Sequence, residues 1–302
     1  MNNILVFTNN INQKKKKMFV KLINKHLGGR GKCILSDYKD IFLQFGGKNF
    51  QFKVNGADYT NYKLVYFRRA SEDFSFMANS LAIFFEYLRI KFFDTHFSQI
   101  GAKSDKLAQL ARLYTNNIGI PETIYFSSLN MDKYSDKVIE ILGLPLVAKS
   151  IDKQRGLGVF LINNIDDFSK LVIEKDRVIN PYFFQKLINK KKEYRVLVLG
   201  GDVGVWEEKI ASTKNEFRNN VSLGAKEIFL NVHNIPSYIK NIALYASSTL
   251  GLEISGVDII TEKNTDKTFI LEVNKGPGLT YDERKSPEFN ALASFFAKNL
   301  KK

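Results

Sequence analysis

The sequence lacks several features that would assign it to a common class of protein. Only one cysteine, Cys33, occurs in 302 residues, so an internal disulfide is excluded and a reducing, cytoplasmic setting is expected. No apolar run approaches the roughly 20 residues of a membrane-spanning helix. Near the amino terminus, four consecutive apolar residues, Ile4 to Phe7, precede the charges, whereas a secretory signal places charge before a longer apolar segment. The sequence therefore predicts an intracellular protein with no membrane partner.

Patterns typical of several enzyme classes are also missing. The three histidines, His26, His96 and His233, have no metal-ligand spacing, and no Ser-His-Asp order stands out. The sequence contains neither the Gly-x-x-x-x-Gly-Lys-Ser/Thr loop of P-loop proteins nor the Gly-x-Gly-x-x-Gly loop of dinucleotide-binding folds. Classical hydrolases and these two nucleotide-binding classes are therefore disfavoured.

Basic residues are abundant, but their type does not identify a partner. The net charge is +14, with 35 Lys against 10 Arg. Bidentate recognition of phosphates and bases favours arginine. The runs Lys14–Lys17 and Lys190–Lys192 are typical of solvated faces, although a basic surface also attracts phosphates and glutamate-rich tails. Binding to RNA or the ribosome stays open, and so does assembly into a homo-oligomer.

The order of predicted strands and helices divides the chain into three parts. Strands alternate with helices over about the first 100 residues, which indicates a small open α/β domain. A smaller part with helices and strands follows, and the last part is strand-rich and closes with an amphipathic helix. We place the domains at residues 1–100, 101–184 and 185–302. The fold class is α/β, followed by α+β.

Two predicted strands near the end of the chain carry polar residues on one face. Glu272 and Asn274 are two residues apart and therefore share a face, and Asp258 lies on the preceding strand. A hairpin that turns near Asn264 to Asp266 would set Asp258 opposite Glu272. Two carboxylates and an amide suit Mg²⁺ held together with substrate phosphates. The alternative is that Glu272 only pairs with a surface lysine.

A lysine and a glycine-containing loop form a second pattern. Lys149 ends a hydrophobic strand, and the loop that contains Gly156 and Gly158 leads to the next strand. Such loops let backbone N–H groups approach phosphate oxygens, and the lysine adds a positive charge. Further along, Glu193, Arg195, Arg218 and Asn220 flank apolar strands, where they fit the edge of a sheet as well as a site.

Six segments in this order resemble the ATP-grasp superfamily, and within it the RimK-like glutamate ligases that modify a ribosomal protein. The resemblance runs from about Ser104 to Gly278, more than half of the chain. It implies an ATP-grasp fold, in which an N-terminal open α/β domain precedes two subdomains that clasp ATP. The segments are SDKLAQLARLYTNNIGIPET, PLVAKSIDKQRGLGV, FQKLINKKKEYRVLVLGG, EFRNNVSLGA, GVDII and ILEVNKGPG.

The resemblance also implies roles for single residues. It implies that ATP is the nucleotide, held by Lys106, Lys149, Gly156, Gly158, Gln185, Lys186, Leu187, Glu193, Arg218 and Asn220. It implies that Mg²⁺, with Mn²⁺ as the alternative ion, is bound by Asp258, Glu272 and Asn274. The implied catalytic residues are Arg218, Asn220 and Lys149, and a substrate carboxylate is assigned to Arg68 or Arg69 in the first domain.

Three positions depart from the family pattern. Lys153 stands where the family's loop usually has another glycine, Asn219 stands where a serine is usual, and Glu193 replaces the usual aspartate near the ribose. None of these changes removes a charged catalytic group.

The implied function is that of an ATP-dependent carboxylate–amine ligase. Transfer of the γ-phosphoryl group to a carboxylate gives an acylphosphate, from which an amine displaces phosphate to form an amide. The expected reaction adds an amino acid such as glutamate to a peptide or protein. Two alternatives stay open: a ligase that makes side-chain amide or ester links in a peptide, and an inactive ATP-grasp protein that binds RNA or ribosomes.

Overall fold

The computed structural model describes residues 3–8, 11, 13–44, 51–69, 75–99, 106–126, 131–151, 158–171, 182–210, 226–282 and 284–300. The helices are α1 (Lys14–Leu27), α2 (Ser75–Tyr87), α3 (His96–Gln99), α4 (Lys106–Thr115), α5 (Met131–Leu142), α6 (Ser237–Thr249) and α7 (Glu288–Leu300). The strands are β1 (Asn3–Thr8), β2 (Lys32–Ser36), β3 (Ile41–Gln44), β4 (Gln51–Val54), β5 (Ala57–Asp58), β6 (Tyr62–Arg69), β7 (Lys91–Phe93), β8 (Thr123–Ile124), β9 (Leu146–Ser150), β10 (Val159–Ile162), β11 (Tyr182–Lys186), β12 (Lys190–Leu199), β13 (Asp202–Ile210), β14 (Lys226–Leu230), β15 (Ile254–Glu262) and β16 (Thr268–Lys275).

A parallel sheet in the order β2-β1-β6-β7 forms the first part of the molecule. The apolar residues of β1 are fully buried, and they alternate between two cores. Ile4 and Val6 pack with α1 and α7, whereas Leu5 and Phe7 pack on the side of α2. A continuous apolar strand is typical of a parallel sheet that helices cover on both faces, so the expected open α/β arrangement is present here.

The first helix has the boundary and buried stripe that the sequence predicts. Phe19, Leu22, Ile23 and Leu27 are buried, and the helix ends at Gly28, whose φ of 55° is left-handed. A glycine takes this conformation without the steric cost that a Cβ would bring. A small antiparallel sheet of β3, β4 and β5 was not predicted; it covers the core beneath Phe52.

A second sheet has the order β10-β9-β11-β8 and antiparallel pairing. One face packs on α5 through Leu146, Ala148 and Phe184. The opposite face carries Lys149 and Gln185, because alternate residues of a strand point to opposite sides. The polar face of this sheet is therefore available for a site.

A third sheet has the order β14-β13-β12-β15-β16, again antiparallel. Helix α6 covers one face, where Val196, Val257 and Ile270 are buried. At one end of the other face, Leu197 and Val205 pack in the core that also contains α7. The remainder of this second face is charged.

The strands β15 and β16 form the predicted hairpin. Asp258 lies directly opposite Glu272, and Gly256 lies opposite Asn274. A register shift after Asp258 leaves Leu271 as an extra residue in β16. The prediction that Asp258 and Glu272 lie on facing strands is confirmed.

The first and third parts of the molecule are joined by buried polar contacts as well as by α7. Glu253 accepts hydrogen bonds from the backbone N–H groups of Asp94 and Thr95, at 2.6 and 2.9 Å. The carboxylate of Asp94 in turn accepts the N–H of Ile254 at 3.0 Å. Among the residues described here, no helix is long and apolar enough to cross a membrane.

Candidate functional site

A row of charged side chains crosses the third sheet and forms the centre of the candidate site. Glu207 of β13 lies opposite Arg195 of β12, Arg195 lies opposite Asp258 of β15, and Asp258 lies opposite Glu272 of β16. Residues paired in this way share one face of a sheet. Four strands therefore present one basic and three acidic side chains side by side.

Asp258 is the most heavily hydrogen-bonded member of the row. Arg195 donates two hydrogen bonds to its carboxylate, both at 2.9 Å. Lys209 donates at 2.7 Å and the amide of Asn274 at 3.1 Å. Burial by itself would raise the pKa of Asp258, but Arg195 and Lys209 outweigh it and hold the pKa at about 2. Asp258 is therefore ionised throughout the physiological pH range.

The predicted metal ligands lie together, and their chemical types fit Mg²⁺. Asp258, Glu272 and Asn274 offer two carboxylates and an amide on adjacent strands. A carboxylate has about four acceptor positions, and the four hydrogen bonds to Asp258 match that number. An ion bound here would share Asp258 with Arg195 and Lys209, or replace one of its donors. In the described part of the chain, no group of three or more His, Cys, Asp or Glu forms a metal site by itself.

Lys149 of the second sheet faces this row, and Lys106 of α4 lies near Lys149. The ammonium of Lys106, at the start of α4, donates to the carbonyl of Ser150 at 3.3 Å. Burial lowers the pKa of Lys149 to about 8; Glu272 opposes this shift and Lys106 adds to it. Because Lys149 interacts with Glu272, Glu193 and Asp258, the charged faces of the two sheets lie close to each other.

The predicted adenine segment lies at the end of β11. The side-chain amide of Gln185 donates to the hydroxyl of Thr123 at 2.8 Å, and its carbonyl oxygen is buried without a hydrogen-bond partner among the residues described. The N–H of Lys186 donates to the carbonyl of Glu122 at 3.0 Å, so this donor is already used. The Lys186 side chain is exposed and Leu187 is half-buried.

Glu193, predicted near the ribose, is buried at the edge of the charged face. It accepts a hydrogen bond from Lys190 at 3.3 Å. Burial raises its pKa, and the neighbouring lysines oppose that shift. It lies on the same face of β12 as Arg195, two residues away.

The Gly-Pro-Gly segment that ends β16 packs directly against the row. A Cβ atom on Gly256 would lie 2.9 Å from the Cβ of Pro277 and 3.6 Å from the Cδ of Arg195. Gly256 therefore lets this segment approach the sheet next to Asp258. The segment that follows the end of β16 at Lys275 therefore packs beside the row.

An acidic cluster occupies the other end of the row. Glu227 accepts the hydroxyl of Thr280 at 2.7 Å, and Glu288 accepts the N–H of Thr280 and the hydroxyl of Ser286 at 2.7 and 2.8 Å. Glu207 is 2% exposed, and neither of its carboxylate oxygens has a hydrogen-bond partner among the described residues. Burial, reinforced by Glu227, raises the pKa of Glu207 to about 8.

Arg68 lies in the first domain at the carboxyl end of β6. Its guanidinium stacks over Phe19 at 4.4 Å from the ring centroid, and its Nη1 is buried without a hydrogen-bond partner in the described parts of the chain. Phe19 contacts Phe289 of α7, and Phe289 contacts Tyr281 in the segment after Gly278. Arg68 is thus joined through aromatic packing to the segment that follows β16.

The remaining predicted residues cannot be placed in this geometry. Arg218, Asn220 and Gly156 lie outside the described residues, as does the side chain of Arg69. Gly158 is described, and its carbonyl accepts the N–H of Ser150 at 2.7 Å, which closes the base of the loop. The roles assigned to Arg218, Asn220, Arg69 and the two glycines stay predictions.

Sequence reasoning did not assign Arg195, Lys209 and Glu207 to the site. The available signal was the alternation of side chains along a strand. Arg195 is two residues from Glu193 on one strand, and Lys209 is two residues from Glu207 on the next, so each pair shares a face. That signal indicates a shared face but not which strands are neighbours.

The chain is similar to known proteins over more than half of its length. Residues 103–291 match the model of the RimK-like ATP-grasp domain. A probable alpha-L-glutamate ligase from Shewanella pealeana is 28% identical over 213 residues, which are 70% of this chain and 44% of that protein. A ribosomal protein bS6–L-glutamate ligase from Salmonella paratyphi B is 32% identical over 178 residues, 58% of this chain and 56% of that protein. The chain spans about half the length of the curated relatives it matches.

A solved structure matches nearly the whole chain. The ATP-grasp ligase PsnB, complexed with a phosphomimetic variant of a minimal precursor, Mg and ADP, has a TM-score of 0.73 at 15% identity. The match covers 98% of each chain. This likeness, together with the family match, confirms the ATP-grasp fold.

Proposed function

The chain belongs to the RimK-like ATP-grasp family, and on this premise we propose that it is an ATP-dependent carboxylate–amine ligase. The observation that supports the proposal is that a basic face of the second sheet lies close to an acidic face of the third sheet. Lys149 of the second sheet lies near Asp258 and Glu272 of the third, and Lys106 of α4 lies near Lys149. Phosphoryl transfer needs cations at the phosphates and carboxylates at the metal, and these faces supply both.

The reaction would begin with ATP held between the two sheets. Lys106 and Lys149 would bind phosphate oxygens, together with backbone N–H groups of the loop that contains Gly156 and Gly158. Gln185, Lys186 and Leu187 would border the adenine and Glu193 the ribose. Bound Mg²⁺, or Mn²⁺, would be held by Asp258, Glu272 and Asn274 and would neutralise charge on the transferring phosphoryl group.

The chain's own cations would then stabilise the negative charge that develops in both chemical steps. Lys149 is half-buried beside Glu272, where its charge acts at short range. Arg195 is fixed by the two hydrogen bonds that it donates to the carboxylate of Asp258 and needs little reorganisation. Arg218, with Asn220 beside it, would act on the reacting phosphoryl and acyl groups.

The substrates we propose are an amino acid such as glutamate and the carboxyl end of a peptide or protein. Arg68 supports the carboxylate assignment, because its buried Nη1 lacks a hydrogen-bond partner among the described residues. Arg69 stays the alternative. A cytoplasmic setting remains our expectation, because the single cysteine, Cys33, is buried and cannot form an internal disulfide.

A second candidate function is peptide tailoring, in which the ligase closes side-chain amide or ester links. One observation favours it: the ligase solved with its minimal precursor matches 98% of this chain, whereas the curated glutamate ligases match 58 to 82%. The activation chemistry is the same in both candidates. They differ in whether the nucleophile is a free amino acid or a side chain of the same peptide.

An ADP-release screen tests the proposal. The protein is mixed with ATP, Mg²⁺, single amino acids and glutamate-rich peptides, and products are identified by mass spectrometry. We expect acceptor-dependent ADP release and a mass increase of one amino-acid residue for the first candidate, or a loss of water for the second. Arg218→Ala should slow turnover by about 100-fold to 1,000-fold, since one preorganised donor contributes on the order of 3–4 kcal/mol. Unchanged turnover in this variant would remove Arg218 from the mechanism.

The same samples test the non-enzymatic alternative. A protein that binds RNA or ribosomes and has lost activity would release no ADP, and its RNA affinity would fall steeply with salt. An active ligase should release ADP at a rate that depends on the acceptor.

A further inference from the structure

Glu207 is a buried acid that the proposed mechanism does not use. It is 2% exposed, and no hydrogen bond reaches either carboxylate oxygen within the described chain. The Nε of Arg195 is 3.8 Å from Oε1, too far for a hydrogen bond. A buried carboxylate without donors is unfavourable, so a native protein that keeps one calls for an explanation.

The neighbouring acids do not share this property. Glu227 and Glu288 are also in the cluster, but Thr280 and Ser286 hydrogen-bond to them. Glu207 is therefore the member of the cluster whose two carboxylate oxygens have no hydrogen-bond donor among the described residues. The cluster does not form a metal site among the described residues.

Glu207 lies close to the predicted metal ligand Asp258. It shares a row with Arg195 and Asp258, and two strand spacings of 4.7 to 4.9 Å put its Cα about 10 Å from that of Asp258. Lys209, two residues further along the same face, bridges this distance, because its ammonium is 2.7 Å from Asp258. Arg195 and Lys209 therefore link Glu207 to the predicted metal ligand Asp258 within one row of side chains.

We propose that Glu207 binds the attacking amine of the acceptor and takes the proton that the amine loses when the amide forms. This inference rests on the proposed ligase function. The nitrogen forms a bond to the acyl carbon, the bond from that carbon to the phosphate oxygen breaks, and phosphate leaves with the electron pair. One proton passes from the nitrogen to the carboxylate of Glu207 and then to solvent.

The charges around Glu207 set the pH at which it can act. Arg195 and Lys209 disfavour the ammonium form of an incoming amine, which has no lone pair for attack, whereas Glu227 and Glu288 favour it. Burial raises the pKa of Glu207 to about 8, so the carboxylate form that accepts the proton becomes the main form only as the pH rises past 8.

Hydroxylamine separates this role from carboxylate activation. It reacts with an acylphosphate as a small neutral nucleophile and gives a hydroxamate, so it does not need a site for an amino acid. The wild-type protein, Glu207→Gln and Glu208→Gln are compared with ATP, Mg²⁺ and peptides that end in glutamate, with either L-glutamate or hydroxylamine as the nucleophile. Glu208 is the matched control, because it lies next to Glu207 and pairs with Lys192 at 3.0 Å instead.

We expect Glu207→Gln to reduce amide formation with L-glutamate by about 100-fold or more, the usual contribution of a general base. Hydroxamate formation should stay within threefold of wild type, and Glu208→Gln should match wild type in both assays. Raising the pH should restore part of the lost amide formation, which a purely structural role would not produce.

Three results would overturn the inference. Amide formation at the wild-type rate in Glu207→Gln would exclude a role for this carboxylate. Equal losses of amide and hydroxamate in the same variant would place its effect on activation or folding. If the wild-type protein itself forms neither ADP nor hydroxamate, the proposed ligase function fails and this inference fails with it.

Discussion

Replacing Glu207 by glutamine should make the protein more stable at alkaline pH. In the folded protein, burial raises the pKa of Glu207 from its ordinary value of 4.5 to about 8. The folded state therefore binds this proton more tightly than the unfolded state does. The proton bound to Glu207 therefore contributes most to the free energy of unfolding at acid pH, and this contribution is lost as the pH rises toward 8. Glutamine is neutral at every pH and does not carry this dependence.

The size of the effect follows from the two pKa values. With values of 4.5 and about 8, the linkage relation gives a loss of about 4 kcal/mol in the free energy of unfolding between pH 5 and pH 8.5. No reduction for solvent screening applies, because the residue is 2% exposed. The stability advantage of Glu207→Gln over wild type should grow by the same amount across this range.

Urea unfolding at several pH values from 5 to 8.5 measures this difference. The free energy of unfolding of Glu207→Gln is subtracted from that of the wild type at each pH. The contribution of all other titrating groups cancels in this difference. Glu208→Gln is the control and should change stability by no more than about 1 kcal/mol, as expected for a pair at the surface. If Glu207 were instead a stabilising partner of Arg195, Glu207→Gln would be less stable than wild type at pH 8, which would refute the reasoning.

Two further substitutions test the packing and charge of the site. Asp258→Asn should lower the free energy of unfolding by about 3–5 kcal/mol, because it leaves two buried cations without their counter-charge; the exposed Asp266→Asn should cost less than about 1 kcal/mol in urea unfolding. Gly256→Ala should cost about 1–3 kcal/mol, because its new methyl group would crowd Pro277 at 2.9 Å. Gly278→Ala, where a Cβ meets nothing within 4 Å, should leave the midpoint unchanged, and equal effects of the two glycine variants would contradict this argument.

The hairpin that carries the predicted metal ligands was accessible from sequence because its signals are local. A polar turn near Asp266 joins two apolar strands, and the side-chain period of two places Glu272 and Asn274 on one face. Counting from the turn does not give the exact pair, because the extra residue Leu271 lies between the turn and Asp258. Without this bulge Asp258 would lie opposite Leu271, so the bulge is what sets Glu272 opposite Asp258.

The partners of Asp258 could not be derived in the same way. Arg195 and Lys209 belong to strands that are 63 and 49 residues away from Asp258 in the chain. Which strands become neighbours in a sheet depends on long-range packing, and no turn or period in the sequence encodes it. The small sheet of β3 to β5 was missed for another reason, since its strands have only two to four residues.

The resemblance to a known family supplied what local patterns could not, but it had a limit of its own. It pointed to Asp258 and Glu272 by matching motifs, and it gave no reason to look at Glu207. That residue stands out only when burial and hydrogen bonding are considered together, because a buried glutamate in an apolar strand looks the same in sequence whether or not its oxygens have donors.

The geometry of Arg195 explains why one acid in the row is satisfied and its neighbour is not. A guanidinium can grip one carboxylate with two parallel hydrogen bonds, and Arg195 does so with Asp258 at 2.9 Å for both. The same group then stays 3.8 Å from Glu207 and donates no hydrogen bond to it. The arginine thus fixes Asp258 beside the predicted metal ligands and leaves Glu207 with free acceptor positions. A single side chain in this way separates Asp258, a predicted metal ligand, from Glu207, which we propose binds the amine.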